Sequence, residues 1–332
     1  MCVAATTTLP ADDRVILPTH VKPKHYRLTL TPNLVDFTFD GTVDVDLDVF
    51  QETDTIVVNA KELHVHSADV VFSAGKSQQS YTVFLFHLHF YSVFRYTANK
   101  IDVNEKEETV TLVFPGTISA GTLATLHITF SGTHNDKMTG FYRSSFTDPD
   151  SGETKWMVVT QFEATDARKC FPSWDEPALK STFDCTLIVD PHLTALGNMP
   201  VKSESSISVN GKPKRKVEFN TTPIMSTYLL AFAVGELDYI ETTTTKLEKP
   251  VVCRVYTPKG LSHQGQFALG ITPKVLEYFS HVFGQPYPLP KMDMIAVPDF
   301  DAGRLVVCGS SFSRLERLDV FPVARADGWF NP

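Results

Sequence analysis

Between residues 41 and 50 the chain reads GTVDVDLDVF, in which Val43, Val45, Leu47 and Val49 alternate with Asp44, Asp46 and Asp48. A period of two with aspartate on every off beat is the pattern of a β-strand with one dry and one wet face. Comparable stretches recur at YRLTLTP (26–32), DTIVVNA (54–60), ETVTLVF (108–114), LATLHITF (123–130), KWMVVTQF (155–162), STFDCTLIV (181–189) and RKVEFN (215–220). Asp-Gly, Pro-Gly, Ser-Gly and Asn-Gly pairs, all turn formers, separate several of them. No helical period is visible before about Tyr239. The pattern predicts a mainly β protein, with an antiparallel β-sandwich or saddle over the first two thirds of the chain.

After GELDYIETTTTKLEKP (235–250) the texture changes. PVVCRVYTP (250–258) reads as one more strand, and Ser262 is placed to cap a helix. Phe267, Ile271, Val275, Phe279 and Val282 then follow at near-helical spacing, with Pro273 expected to kink or restart the helix. MDMIAVP (292–298) returns to strand character. The expected organisation is an N-terminal arm (1–18), a β-domain (19–239), the partial start of an α/β domain (240–303) and a divergent tail (304–332). Within the β-domain, VFLFHLHFYSVF (83–94) is apolar without clean alternation, and Tyr81-Thr82 and Tyr96-Thr97 bracket it. Residues 83–97 therefore read as an insertion into a strand pair.

Composition narrows the partners. With 42% hydrophobic and 20% charged residues over 332 positions, the chain can bury a substantial core. Its net charge is −8, and the KPKRK cluster (212–216) follows Asn210-Gly211 as a solvated hairpin arm would, so nucleic acid is not an expected partner. The apolar run at 83–94 falls short of the roughly 20 residues that a membrane-crossing helix needs. MCVAATTTLPADDR lacks the basic and apolar regions of a secretory leader, and the five cysteines (Cys2, Cys170, Cys185, Cys253, Cys308) form no C-x-x-C pair. Free thiols in a reducing compartment follow, and with them a cytoplasmic location.

The chemistry is sparse. None of the eleven histidines is followed by Glu, so H-E-x-x-H is absent. His64/His66 and His87/His89 each point to one side of a strand, but no further ligand of suitable spacing completes a metal site. No nucleophile elbow, P-loop or dinucleotide fingerprint occurs. What remains is QFEATDARKCFPSWDEP (161–177). On a strand, Gln161 and Glu163 would share a face with Phe162 opposite. A carboxylate beside an amide suits a primary ammonium group, with charge from Glu163 and neutral hydrogen bonding from Gln161. In the competing reading Glu163 pairs with Arg168 or Lys169 at a sheet edge. Asp166, Arg168 and Trp174 to Pro177 read as a structural turn network.

That stretch resembles the signature of the zinc aminopeptidases of the aminopeptidase N and puromycin-sensitive aminopeptidase type. LPTHVKPKHYRLTLTP (17–32), GTHNDKMTGFYRSS (132–145), STYLLAFAVGELDYIE (226–241), VYTPKG (255–260) and FGQPYPLPKMDMIAVPDF (283–300) are similar to family segments in the expected order. The resemblance implies the family's N-terminal β-domain followed by the start of a thermolysin-like catalytic domain. It implies that Gln161 and Glu163 line the first specificity pocket and that Glu163 helps to anchor the substrate's free α-amino group. Peptide N-termini are the implied partners, together with possible association with a full-length relative.

The chain also departs from the family. Where D-F-x-A-G should lead into A-M-E-N-W-G, only Ala302 and Gly303 keep the pattern, so they alone carry over as substrate-binding positions of that strand. Residues from Arg304 lack a strong period and read as a truncated or misframed continuation. Zinc is the cofactor of the full-length family, but none is expected on this chain, which ends before the family's zinc helix. The expectation is an incomplete zinc metalloaminopeptidase, inactive alone; the alternative is a non-catalytic peptide-binding or protein-interaction β-module.

Overall fold

A computed structural model describes residues 16–73 and 93–298, together with the backbone of two strands at 304–307 and 310–314. The strands, in chain order, begin with β1 (Val21–Asn33), β2 (Thr38–Val49), β3 (Thr53–Asn59), β4 (Leu63–Ser73), β5 (Val93–Thr97), β6 (Lys100–Asn104) and β7 (Thr109–Ile118). They continue with β8 (Leu123–Thr133), β9 (Gly140–Thr147), β10 (Thr154–Gln161), β11 (Thr182–Val189), β12 (Thr194–Gly197), β13 (Val201–Val209), β14 (Lys212–Phe219) and β15 (Phe232–Gly235). Last come β16 (Leu237–Thr243), β17 (Val252–Pro258), the helix α1 (Gln266–Phe283), β18 (Lys291–Val297), β19 (Arg304–Val307) and β20 (Ser310–Arg314).

The alternation at 41–50 becomes the centre of an eight-stranded sheet ordered β13-β14-β11-β1-β2-β8-β4-β5. Val43, Val45, Leu47 and Val49 are buried, as are Leu28 and Leu30 beside them. The aspartates face outward, each against a base from a neighbouring strand. Arg27 grips Asp46 through two 2.7 Å bonds, His127 meets Asp44 at 2.6 Å, and Lys24 lies 3.4 Å from Asp48. One pairing departs from expectation: β1 and β11 run parallel, so the sheet is not wholly antiparallel. The long connection between those two strands carries most of the β-domain, which leaves room for such a crossover.

The dry face of this sheet covers a three-stranded sheet (β3-β7-β6) and one face of a four-stranded sheet (β12-β15-β10-β9) in a continuous core. The four-stranded sheet is dry on both sides. Met157 and Val159 of β10 point away from Val158 and join Leu237, Tyr256, Ile295 and Val297 in a second cluster. The latter residues belong to, or open, a mixed five-stranded sheet ordered β16-β17-β18-β20-β19, backed by α1.

Several local expectations need correction. Ser262 opens a short 3-10 turn and is not the cap of α1, whose N-cap is Gly265. The helix runs through Pro273 without a break, held by Ala268 and Thr272, which are buried on the Val255 and Met294 side of the sheet. The Phe267 to Val282 stripe is not the packed face, since both residues are about half exposed at 49% and 52%. Of the segment read as an insertion, Val93–Thr97 forms the edge strand β5 paired to β4, and residues 83–92 lie outside the described residues. The KPKRK arm is the β13–β14 hairpin, and three of its charges are paired: Lys214 with Asp190, Arg215 with Glu204 and Lys216 with Glu218. Cys170, Cys185 and Cys253 are free and buried, and burial pushes all three thiols up, Cys253 to about 12.

His134 follows β8 and is 1% exposed, wedged between Phe39 and Phe141, with Nδ1 donating to the Phe141 carbonyl at 3.2 Å. Burial pushes its pKa down from 6.5 to about 4. The unfolded chain therefore binds a proton that the folded chain refuses between those two values, and stability falls as pH falls through that window. The loss should approach about 3 kcal/mol below pH 4, at 1.36 kcal/mol per unit. Urea midpoints measured at pH 7 and pH 4.5 should converge in the His134→Gln variant; an unchanged pH dependence would remove His134 from this role.

Candidate functional site

QFEATDARKCFPSWDEP leaves β10 at its first residue. The strand ends at Gln161, and residues 163–166 form a turn, so Glu163 does not share a strand face with Gln161 as the spacing predicted. The chain turns here because Phe162 must enter the core: it is 1% exposed and edge-on to Phe171 and Phe232. Its carbonyl accepts the Asp166 N–H at 2.9 Å and closes the turn.

Gln161 continues the row Met157, Val159, Gln161 on the side of β10 that faces the mixed sheet. Its Nε2 donates to the Glu163 carbonyl at 3.5 Å, a long contact. Its Oε1 is buried and has no partner among the described residues. Glu163 is exposed. Neither predicted base competes for it: Lys169 pairs with Asp166 at 2.9 Å and donates to Thr139 at 2.9 Å, and Arg168 is engaged elsewhere. Among the described residues Glu163 has no ion pair.

Opposite Gln161 in the β9–β10 ladder stands Gly140, a neighbour that strand spacing did not single out. Gly140 has φ +70°, and a Cβ there would come within 2.7 Å of the Lys169 Cβ. Only glycine fits both conditions, so the Lys169 stem can close over the ladder next to Gln161. The T-G-F of 139–141 was the available signal. Ala302 and Gly303 lie outside the described residues.

The charged knot behind the site is structural, as its composition predicts. Arg168 Nε and its backbone N–H reach Asp175 Oδ2 at 3.1 and 3.2 Å, Nη2 reaches the Asp175 carbonyl at 3.1 Å, and Nη1 reaches Glu108 at 3.0 Å. Thr227 donates to the other Asp175 oxygen at 2.6 Å, and Asn59 accepts the Asp175 N–H at 3.1 Å. Burial pushes Glu108 up, but Lys61 and Arg168 outweigh it and hold the carboxyl below its usual range. Trp174, Phe171 and Cys170 fill the core beneath.

Among the described residues no metal centre emerges. His64 and His66 lie edge to face with centroids 4.7 Å apart, and His66 is bonded to Ser131. Among the described residues no three His, Cys, Asp or Glu side chains converge to hold an ion. His87 and His89 fall outside the described residues, and no described helix is long and apolar enough to cross a membrane.

The fold is a β-rich domain whose core is closed by an Arg–Asp knot and whose four-stranded sheet borders a mixed sheet at Gln161. Comparison with known proteins identifies its family. Residues 22–229 match the Peptidase M1 N-terminal domain, and the chain belongs to that family. It is 45% identical over 289 residues to Aminopeptidase M1 of Arabidopsis thaliana, covering 87% of this chain and 30% of that protein. It is 39% identical over 336 residues to the alanine/arginine aminopeptidase of Saccharomyces cerevisiae, covering 96% of this chain and 36% of the relative. With the puromycin-sensitive aminopeptidase of Caenorhabditis elegans the identity is 39%, over 87% of this chain and 28% of that protein. The chain thus spans about a third or less of these relatives' length, and the resemblance read from the 161–177 motif is borne out at the level of family.

The knot predicts its own sensitivity. Arg168→Lys keeps the charge but cannot reproduce the fork that meets Asp175 and Glu108 together. It should lower unfolding stability by about 2–4 kcal/mol in chemical denaturation, within the range for partly broken buried pairs. A loss under half a kcal/mol would reduce the knot to a surface ion pair.

Proposed function

We propose that this chain is the N-terminal β-domain of a zinc metalloaminopeptidase with the opening of its peptidase domain, the border lying near residue 239 and a divergent tail following 303. In this reading Gln161 and Glu163 receive the free α-amino group of a peptide. The observation that carries the reading is the buried, unpartnered Oε1 of Gln161 on the side of β10 turned to the mixed sheet. An unmade acceptor in such a place costs stability, and an ammonium N–H is the donor that would complete it. The exposed Glu163 carboxylate one turn away, free of ion pairs among the described residues, supplies the opposite charge.

In the complete family member zinc supplies the activated water for peptide hydrolysis. The described residues here do not fit that metal, so the chain's own contribution is to hold and orient the peptide's N-terminal end. A single exposed carboxylate contributes only about 0–1 kcal/mol to such a contact, so binding to this chain alone is weak. The cytoplasm is the proposed location and peptide N-termini the proposed ligands.

NMR titration with leucinamide should shift the Gln161 side-chain amide signals, N-acetyl-leucinamide should not, and Glu163→Ala should weaken the response by up to about fivefold. Equal shifts with both amides would contradict ammonium recognition. Purified chain incubated with zinc should retain no stoichiometric metal and show no chelator-sensitive turnover of an aminoacyl reporter. Stoichiometric zinc with such turnover would overturn the reading that this chain's residues do not hold the metal.

A further inference from the structure

The four-stranded sheet ends at β12, an edge strand, and edge strands expose backbone groups that must be covered. The cover comes from across the border. Lys291, the first residue of β18, donates from Nζ to the Gly197 carbonyl at the end of β12, at 2.7 Å. Nζ also pairs with Asp293, two residues along the same strand, and the two side chains are 7% and 1% exposed. Asp293 Oδ1 is buried with no partner among the described residues. The next charge in the row is Arg254 of β17, registered against Asp293 and bonded to Glu241 of β16 at 2.9 Å. Around this pair the border is apolar, formed by Met157, Val159, Leu196 and Ala233 against Tyr256, Ile295 and Val297.

An apolar contact of this kind is non-directional and would tolerate a slide of one sheet over the other. A buried ammonium has no such freedom. Withdrawn from Gly197, Lys291 loses one acceptor in a dry environment, and Asp293 is left with weaker compensation. The best-attested use of a buried polar group is to select one register among several apolar ones. We propose that Lys291 and Asp293, seated on the Gly197 carbonyl, form a lock that fixes the mixed sheet to the four-stranded sheet in one position and whose opening frees the two to move apart. The lock sets where β18 lies relative to Gln161, because β12, β15 and β10 are consecutive neighbours in one sheet.

Native-state hydrogen exchange on the full chain tests this. In the wild type, the amides of β12 and of β17 and β18 should exchange through one shared opening, at lower urea than β1, β2 and β8. Lys291→Met should speed exchange in β17 and β18 by about a hundredfold, the scale for an orphaned buried charge, and leave β1 and β2 unaltered. If that variant does not fold, the paired variant Lys291→Met with Asp293→Leu removes both charges, leaves the Gly197 carbonyl without its ammonium donor, and should fold with a smaller loss of protection confined to the same strands. Uniform acceleration across all strands, wild-type protection in the paired variant, or separate openings for β12 and β18 in the wild type would each overturn the proposal.

Discussion

The ion pair between Arg168 and Asp175 is the constraint on which the β-domain's geometry depends. The Asp175 side chain is 1% exposed, so its charge survives only because both carboxylate oxygens are engaged: Oδ2 by Arg168 twice and Oδ1 by Thr227, with Asn59 holding its backbone. These partners come from β3, from the turn after β10 and from the segment before β15. No single sheet contains them. A network satisfied from so many directions is expensive to assemble in part and stable when whole, which makes it a selector of one arrangement of the layers.

The knot explains why one short stretch can do two jobs. By pinning residues 168 and 175 it forces the intervening chain to drop Phe171 and Trp174 into the core, where Tyr26 accepts the Trp174 N–H at 3.1 Å and stacks on Phe183. With that side anchored, the turn at 163–166 is left outside, and Gln161 stays on the opposite side of β10 facing the mixed sheet. Core packing and ligand presentation are thus separated by the alternation of a single strand.

Much of this was legible in the chain. Strands with one dry and one wet face, such as β2 and β8, announce themselves because burial and solvent alternate with the pleat. Strands in other environments do not. β12 and β15 are short and buried along almost their whole length, so nothing alternates. β13 is exposed on nearly every residue, so its Ser and Glu positions mimic a loop. The helix misled for a different reason: its packed side uses the small residues Ala268 and Thr272, while Phe267 and Val282 stand half exposed. At the candidate site the residue types were readable but the geometry was not, because the end of β10 is set by Phe162 and the distant knot and not by local spacing. Gly140, supplied by β9, and Lys169, which closes over it from beyond the turn, became neighbours of Gln161 only through pairing.

The central claim is that Arg168 and Asp175 act as one unit that positions the 161–177 segment. A double-mutant cycle on Arg168→Met and Asp175→Asn, read by urea unfolding, measures this directly. The account predicts that the second substitution costs far less once the first is present, with a coupling of about 1–3 kcal/mol, the upper range for residues in one network. Additive losses, with no coupling beyond about 0.5 kcal/mol, would contradict it.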